Sequence, residues 1–202
     1  QQGVLAVLLE DGDTSRVNIY AKDGSQIVES KFELSETGYP LRIALSADAT
    51  KLAVSFLQVQ NGSISSCVAF YNFDSVGENY EDHLVASKIL QGTVMPDVQY
   101  TDSTHCFFTG VGELLFFEGT QIPEETADVT IEQKILSIFS SSKYVGVVTE
   151  GEEKSYALQV YNMQGKQEFR TEFDQGYTSL KFSGNNILIY DDFEYSMMNH
   201  AG

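Results

Sequence analysis

A strand–turn–strand unit recurs along this chain and limits what it can fold into. The first example is ALSADATKLAVSF, from Ala44 to Phe56, in which a polar turn separates two apolar runs. Related segments are DVQYTDSTHCFFT from Asp97, LSIFSSSKYVGVVT from Leu136 and SLKFSGNNILIYD from Ser179. Short runs rich in Val, Ile, Phe and Tyr, bounded by Gly, Asn, Asp and Ser, are typical of strands joined by turns. The pattern therefore predicts an all-β protein.

A second motif recurs as two or three apolar residues that end in an aromatic residue, followed by a polar turn. It reads VNIYAKDG, VAFYNFDS, LLFFEG and LQVYNMQG, and its aromatic residues, Tyr20, Tyr71, Phe117 and Tyr161, lie 51, 46 and 44 residues apart. A degenerate fifth copy, YSMMNHAG, has Met198 at the aromatic position. A further strand follows where there is room, as in QIVESKFEL, HLVASKIL and KQEFRTEF. The unit is thus a four-stranded antiparallel meander of about 40–50 residues, the period of a propeller blade.

The strand count predicts an incomplete set of blades. We expect a single β-propeller domain over residues 1–202, WD-repeat-like and with four to five four-stranded blades, or a fragment of a larger propeller. The first unit lacks its first strand and the last lacks its fourth, so the units contain 3, 4, 4, 4 and 3 strands. The repeat units are about 3–36, 39–91, 95–132, 133–175 and 177–202.

Such a set of blades leaves surfaces that need a partner. A single small meander cannot bury both of its faces, so neighbouring blades must cover one another. An open end would expose an apolar blade face and unpaired strand edges. We therefore expect either further sequence beyond this chain or self-association through open blade edges.

The charge balance restricts the partners of the protein. The chain has 29 acidic and 12 basic side chains, which gives a net charge of −17. A surface this acidic repels phosphate groups, which argues against nucleic acid and anionic membrane surfaces as partners. The acidic side chains either keep the protein soluble or form a docking face for basic partners.

Histidines and cysteines are too sparse to predict a metal or catalytic site. His83, His105 and His200 lie far apart in the sequence, and Cys67 and Cys106 do not have metal-ligand spacing. Both cysteines lie in apolar runs, so we interpret them as buried free thiols, with a single disulfide between them as the alternative. The sequence also has no G-x-S-x-G motif and no glycine-rich phosphate loop. We predict no catalytic residues, no metal and no cofactor.

Two acidic clusters allow a functional interpretation beside a structural one. Asp11 and Asp13 in the loop EDGDTS would suit calcium, but the other ligands of an EF-hand are missing, and an Asp-Gly hairpin turn is favoured. Asp191, Asp192 and Glu194 would suit a cation or a carboxylate pair for glycoside hydrolysis. We favour an ordinary solvated turn there as well.

The aromatic residues of the second motif also have two interpretations. Tyr20, Tyr71, Phe117 and Tyr161 would form a platform for stacking sugars if they were exposed. Because they recur at the same place in each unit, packing between blades is the favoured interpretation.

The segments YPLRIALSADATKLAVSF, from Tyr39, and SISSCVAFYNFDSVGEN, from Ser63, carry a family resemblance. They resemble an uncharacterised bacterial propeller family that is distantly similar to WD-repeat-like propellers. The chain has no Trp, and Ala47 and Ala49 stand where many propellers have the Pro and Gly of an S-P-D-G-K turn. The resemblance implies a propeller outside the cytoplasm, at the cell surface, anchored by one transmembrane helix upstream of this chain. It brings no active site with it.

These observations favour a non-enzymatic interaction or sensing module that binds an unknown protein or glycan through acidic turns at one end of the blades. One alternative is an enzyme that acts on polysaccharide through acidic residues in a central channel. Another is a structural scaffold of the cell envelope. An enzyme requires convergent carboxylates, whereas a binding module requires an exposed aromatic or apolar patch.

Overall fold

The chain folds into five antiparallel sheets that follow one another along the sequence. The computed structural model describes residues 4–33, 38–73 and 83–200, and these ranges contain 18 strands and no helix. In order, the strands are β1 (Leu5–Asp11), β2 (Thr14–Tyr20), β3 (Gln26–Glu33), β4 (Tyr39–Leu45), β5 (Lys51–Gln60), β6 (Ser63–Asn72), β7 (Leu84–Gln91), β8 (Asp97–Tyr100), β9 (His105–Gly110), β10 (Glu113–Glu118), β11 (Glu124–Thr130), β12 (Ile135–Ser140), β13 (Tyr144–Glu150), β14 (Tyr156–Asn162), β15 (Gln167–Phe173), β16 (Ser179–Ser183), β17 (Asn186–Tyr190) and β18 (Tyr195–Asn199).

The sheets contain 3, 4, 4, 4 and 3 strands, which confirms the predicted grouping. They are β1–β3, β4–β7, β8–β11, β12–β15 and β16–β18, called here the first to the fifth sheet. Strands that follow one another in the sequence are neighbours in each sheet, so every sheet is a meander. The prediction of an all-β chain of four-stranded antiparallel units is therefore confirmed.

The chain divides into two compact units. The first contains Gln1–Val111 and Leu115–Thr126, and the second contains Gly112–Leu114 and Ala127–Gly202. The boundary passes through the third sheet. The expectation of one domain over residues 1–202 stays a prediction.

Neighbouring sheets pack face to face in the first unit. Val17 and Ile19 of β2 lie in one apolar cluster with Leu52 and Val54 of β5, which joins the first and second sheets. Tyr71 belongs to the same cluster. Burying such side chains contributes about 1.5–3 kcal/mol each.

An aromatic cluster joins the second and third sheets. The ring of Phe70 in β6 lies 5.7 Å from Phe108 in β9 and 4.8 Å from Phe117 in β10, measured between centroids. All three side chains are buried. The interpretation of the recurring aromatic residues as packing between sheets is therefore right for Tyr71 and Phe117.

The second unit contains a comparable core between the fourth and fifth sheets. Leu158 and Val160 of β14 pack in one cluster with Leu180 of β16 and with Ile187 and Ile189 of β17. The residues alternate along each strand, because side chains two apart lie on the same face of a sheet.

The turn between β4 and β5 shows why the strand–turn–strand unit contains Asp48. One carboxylate oxygen of Asp48 accepts hydrogen bonds from Ser46 Oγ at 2.5 Å, Thr50 N at 3.2 Å and Thr50 Oγ1 at 3.0 Å. Burial raises the pKa of Asp48, but these hydrogen bonds and the charge of Lys51 outweigh burial and lower the pKa to about 2. Asp48 is thus ionised at neutral pH and holds the turn together.

Ala49 occupies a backbone conformation that suits glycine. Its φ is 61°, in the left-handed region, where a Cβ atom costs free energy. We expect Ala49→Gly to raise the free energy of unfolding by about 0.5–1 kcal/mol, after allowing for the greater freedom of glycine in the unfolded chain. Urea denaturation measures this change. The control is Ala47→Gly, in the same turn, because Ala47 does not have a positive φ. We expect this control to lower the free energy of unfolding. If both variants raised it, the left-handed conformation of Ala49 would not be the cause.

The predicted hairpin and free thiols agree with the structure. Asp11 pairs with Thr14 across β1 and β2, and Gly12 has a φ of 61°, so the loop EDGDTS is a tight hairpin turn; the side chain of Asp11 is outside the described part. Cys106 is a buried free thiol and Cys67 is a half-buried one. Burial raises the pKa of both thiols.

Candidate interaction surface

Two acidic turns lie at the same end of the second unit. One joins β13 to β14 over residues 151–155, and the other joins β17 to β18 over residues 191–194. Tyr177, just before β16, contacts the ring of Tyr156 at the start of β14, with 5.1 Å between centroids. Thr178 N donates a hydrogen bond to the carbonyl oxygen of Tyr190, the last residue of β17, at 3.0 Å. These contacts bring the two turns to the same end of the fourth and fifth sheets.

Glu172 holds the first of these turns from the neighbouring strand β15. Its carboxylate accepts hydrogen bonds from the backbone N–H groups of Lys154 at 2.8 Å, Glu152 at 3.2 Å and Glu153 at 2.9 Å. These donors lower the pKa of Glu172, since they favour the charged carboxylate. Asp174 similarly accepts from Ser155 N at 2.9 Å. The carboxylates of Glu172 and Asp174 therefore stabilise this turn through hydrogen bonds to its backbone.

Asp191 holds the second turn in the same way. One of its carboxylate oxygens accepts from the N–H groups of Phe193 and Glu194, both at 2.8 Å, and these bonds lower the pKa of Asp191. The arrangement is that of an ordinary capped turn, the interpretation that the sequence favours. In the described part of the chain, no hydrogen bond or ion pair engages the carboxylates of Asp192 and Glu194. Both residues are exposed to solvent.

Phe193 lies at the tip of this turn and is 95% exposed. Its backbone is fixed by Asp191, and it stands between Asp192 and Glu194. We call residues 191–194 the acidic hairpin. An exposed aromatic ring flanked by two carboxylates suits a cationic group, which the carboxylates attract and the ring face accepts.

The chain itself contains such a contact beside the acidic hairpin. Lys181 Nζ lies 5.5 Å from the ring centroid of Tyr190, at the base of the hairpin. This distance is within the range of a cation–π interaction. The surface next to the hairpin is therefore also able to hold a positive charge against an aromatic ring.

A histidine between two carboxylates lies in the first unit. His105 Nδ1 is 2.8 Å from Asp102 Oδ2, and His105 Nε2 is 3.5 Å from Glu118 Oε1. Burial raises the pKa of Asp102, but hydrogen bonds from the N–H groups of Thr104 and His105 outweigh it and lower that pKa. His105 Nδ1 also lies 3.0 Å from the hydroxyl oxygen of Thr104 in the same turn. The group fixes the turn between β8 and β9.

The structure places the three histidines in different surroundings. The ring of His83 contacts Phe73 at 5.4 Å between centroids, and the buried ring of His200 contacts Tyr144 at 4.7 Å. Among residues 4–33, 38–73 and 83–200, no group of three or more His, Cys, Asp or Glu side chains is arranged to hold a metal ion. The same ranges contain no helix long and apolar enough to cross a membrane.

The acidic hairpin was visible in the sequence as a cluster, but its exposed ring was not. The residues Asp191, Asp192 and Glu194 are adjacent in the chain, so a count of charges finds them. The exposure of Phe193 depends on the geometry of the turn. The group around His105 was missed; the only signal is an Asp three residues before a His in TDSTH.

Comparison with known protein families assigns the chain to one of them. It matches, over residues 1–202, the family described as "Family of unknown function (DUF5711)". The chain belongs to this family. No curated protein matches the sequence of this DUF5711 chain.

Solved structures show the fold of this DUF5711 chain. It is similar to one described as "Crystal structure of the eukaryotic initiation factor", with 14% identity and a TM-score of 0.58, over 97% of this chain and 51% of that one. It is also similar to hydrazine synthase of Kuenenia stuttgartiensis, with 11% identity and a TM-score of 0.52, over 93% of this chain and 68% of that one. A third match, Hsv2 of Kluyvelomyces marxianus, has 12% identity and a TM-score of 0.44.

The chain spans 46% of the Hsv2 chain and 51% of the initiation-factor chain, about half of each. At these identities the similarity shows the fold alone. The similarity to the initiation-factor and hydrazine synthase structures, together with the four-stranded meanders, confirms a propeller-like all-β fold.

Proposed function

We propose that this DUF5711 chain is a non-enzymatic interaction module that binds a cationic protein segment through its acidic hairpin. The observation that carries the proposal is Phe193, which is 95% exposed on a turn that Asp191 holds in place. Large aromatic side chains are common anchors of protein interfaces, and this one is accessible to a partner. The free carboxylates of Asp192 and Glu194 select a partner with positive charge.

The charge of the whole chain supports the same class of partner. A net charge of −17 attracts basic segments over a distance and increases their rate of association at low salt. The position of Lys181 Nζ, 5.5 Å from the ring centroid of Tyr190, supports the proposal that aromatic rings of this surface accept a cation. A glycan ligand would need the rings but not the charge.

Removing the aromatic ring at the hairpin tip tests the proposal. We expect Phe193→Ala to weaken binding of a lysine- and arginine-rich peptide about tenfold, which corresponds to about 1.4 kcal/mol. Calorimetric titration at low salt measures the affinity. The control is Val111→Ala, which removes an 86% exposed side chain from the first unit and should bind as the parent chain does.

Other results would contradict the proposal. One is equal affinity of Phe193→Ala and the parent chain, and another is equal binding of a glutamate-rich peptide. Binding that does not weaken with added salt would argue against a role for Asp192 and Glu194. Binding of neutral glycans with no binding of the basic peptide would favour a glycan ligand instead.

The non-enzymatic part of the proposal has its own test. The enzyme alternative requires release of reducing ends from polysaccharide, and we expect none above a heat-denatured control. Hydrolysis that disappears in an Asp191→Asn, Glu194→Gln double variant would support the enzyme alternative and reject ours. The capping role of Asp191 is the reason to expect no activity.

We also propose that the module works outside the cytoplasm of a bacterium, in a protein anchored by an upstream membrane helix. Support comes from the resemblance of the segments that begin at Tyr39 and Ser63. Protease treatment of intact cells tests the location. Digestion of the module before the cells are lysed is the expected result, and complete protection would reject this location.

A further inference from the structure

The hairpin of β5 and β6 is longer than the hairpin of the third sheet beside it. Its two strands contain ten residues each, whereas β9 and β10 contain six each. β6 begins eight residues before the recurring aromatic Tyr71, and β10 begins four residues before Phe117. At the rise of an extended strand, the hairpin of the second sheet is longer by about 13 Å. Residues 57–66 are called here the projecting hairpin.

The projecting hairpin has an apolar side and a polar side. Val59 pairs with Ile64, and Leu57 pairs with Tyr39 of β4. Paired residues lie on the same face of a sheet, and so do residues two apart in one strand. We call the side that carries these four residues the apolar ledge. The opposite side carries Gln58, Gln60, Ser63 and Ser65.

The apolar ledge continues the face of the second sheet that the third sheet covers. Further along the two strands, Ala53 and Phe70 of this face are buried in the core shared with the third sheet. The cover ends at Ser66, whose hydroxyl oxygen accepts a hydrogen bond from the N–H of Met95 at 2.9 Å, in the segment that leads into β8. Ser66 is 0% exposed, whereas Ile64, the next residue of β6 on this face, is 47% exposed.

The exposure of the ledge does not depend on where the chain begins or ends. Tyr39 and Val59 are each 57% exposed, although the second sheet packs against described sheets on both of its faces. The ledge is open because β5 and β6 are longer than the strands that cover the rest of the same face. An apolar side without cover is a place where a partner removes apolar surface from water.

The ledge is uncharged, although the chain has a net charge of −17. No Asp, Glu, Lys or Arg occurs over residues 52–73. A cationic segment therefore finds no carboxylate on the projecting hairpin. A phospholipid surface is also disfavoured, because segments that lie on membranes use Lys and Arg to hold the lipid phosphates. The absence of charge suits an uncharged, apolar segment of protein.

The size of the ledge distinguishes a short segment from a second copy of the chain. Three partly exposed side chains offer roughly 300 Å² of surface or less. A stable contact between two folded copies buries about 800 Å² on each. It would also bring two chains of net charge −17 together. In an extended segment, alternate side chains repeat about every 6.6 Å, which is the spacing of Leu57 and Val59 along β5.

We propose that the apolar ledge binds a short, uncharged segment of a partner protein in an extended conformation, with apolar side chains at alternate positions. These side chains pack on Val59 and Ile64 and continue the core between the second and third sheets. Tyr39 adds an aromatic anchor of the kind that is enriched in protein interfaces. The site is separate from the acidic hairpin and does not rest on the cationic partner proposed above.

A selection from random short peptides displayed on phage, with the whole chain as the target, tests the proposal. Val59→Asp places a charge on the ledge, and Val59→Thr adds a hydroxyl group but keeps a β-branched side chain. The position is exposed, so both variants should keep the circular dichroism spectrum of the parent chain. We expect peptides with alternating apolar residues that bind the parent chain about tenfold more tightly than Val59→Asp. Val59→Thr should show a smaller loss of affinity in the same direction.

Two controls separate the ledge from other surfaces. Ile122→Asp changes a 50% exposed side chain in the loop between β10 and β11, outside the ledge, and should bind the selected peptides as the parent chain does. Phe193→Ala should also bind them with unchanged affinity, because the acidic hairpin is not part of this site. If basic peptides fail to bind the parent chain, the cationic partner is rejected, whereas the selected apolar peptides still report on the ledge.

Several results would overturn the proposal. If no selected peptide distinguishes Val59→Asp from the parent chain, the ledge is not a binding site. Self-association of the parent chain that Val59→Asp abolishes would assign the ledge to a second copy. Binding to phosphatidylcholine vesicles that Val59→Asp abolishes would assign it to a membrane. A longer form of the protein that does not bind the selected peptides would assign the ledge to additional sequence of the same protein.

Discussion

Replacing Phe108 with alanine is expected to lower the free energy of unfolding by about 3–5 kcal/mol, the range for a buried phenylalanine that leaves a cavity. Its side chain is 0% exposed. The ring packs edge-to-face on Phe70 at 5.7 Å and on Phe117 at 5.6 Å between centroids. The variant therefore removes the centre of the core that joins the second and third sheets. Urea denaturation monitored by circular dichroism measures the loss.

The matched control is another Phe-to-Ala replacement in the same chain. Phe193 is 95% exposed, so Phe193→Ala should change the free energy of unfolding by less than about 0.5 kcal/mol. A loss below about 1 kcal/mol for Phe108→Ala would contradict the packing described here, since it would require the neighbours to fill the cavity. An equal loss of unfolding free energy in Phe108→Ala and Phe193→Ala would also contradict this packing.

Gly146→Ala is expected to lower the free energy of unfolding by about 1–3 kcal/mol, because the added methyl group overpacks the core. Gly146 of β13 pairs with Phe139 of β12, and a Cβ atom added to it would lie 2.8 Å or less from three atoms of the Phe139 ring. The ring is not free to move away, because it also packs on Phe182 with 4.7 Å between centroids. Denaturation in urea again measures the effect.

The second glycine and a double variant serve as controls. Nothing lies within 4 Å of a Cβ atom added to Gly176, so Gly176→Ala should be close to neutral. If the steric explanation is correct, Gly146→Ala should cost much less in a Phe139→Ala background than in the parent chain. Equal costs in both backgrounds would show that the ring of Phe139 is not the obstacle.

Much of the fold was predictable because its signals are local. Runs of β-branched and aromatic residues between Gly, Asn and Asp define strands and turns without reference to distant residues. Asp48 shows this at one position, since it accepts hydrogen bonds from Ser46, Thr50 and Lys51, all within three residues of it. The recurrence of the aromatic motif indicated the length of the repeat unit. That length predicted the grouping of the 18 strands into five sheets.

The candidate site was predictable only in part. Asp191, Asp192 and Glu194 are neighbours in the sequence, so their cluster was evident. The sequence did not indicate that Asp191 caps the turn and leaves Phe193 in solvent. The cap on the other acidic turn comes from Glu172, almost twenty residues away, and depends on strand pairing.

The sequence by itself determined which residues form strands, where the chain turns and how often the unit repeats. Only the tertiary structure decided which of the repeated apolar positions are buried. Leu158 and Val160 have 0% exposure, whereas Tyr195 and Met197, at equivalent positions, are 78% and 63% exposed. The local pattern is the same in both strands, because alternation specifies a face. Whether that face is covered depends on a neighbouring sheet, and burial is a property of that contact.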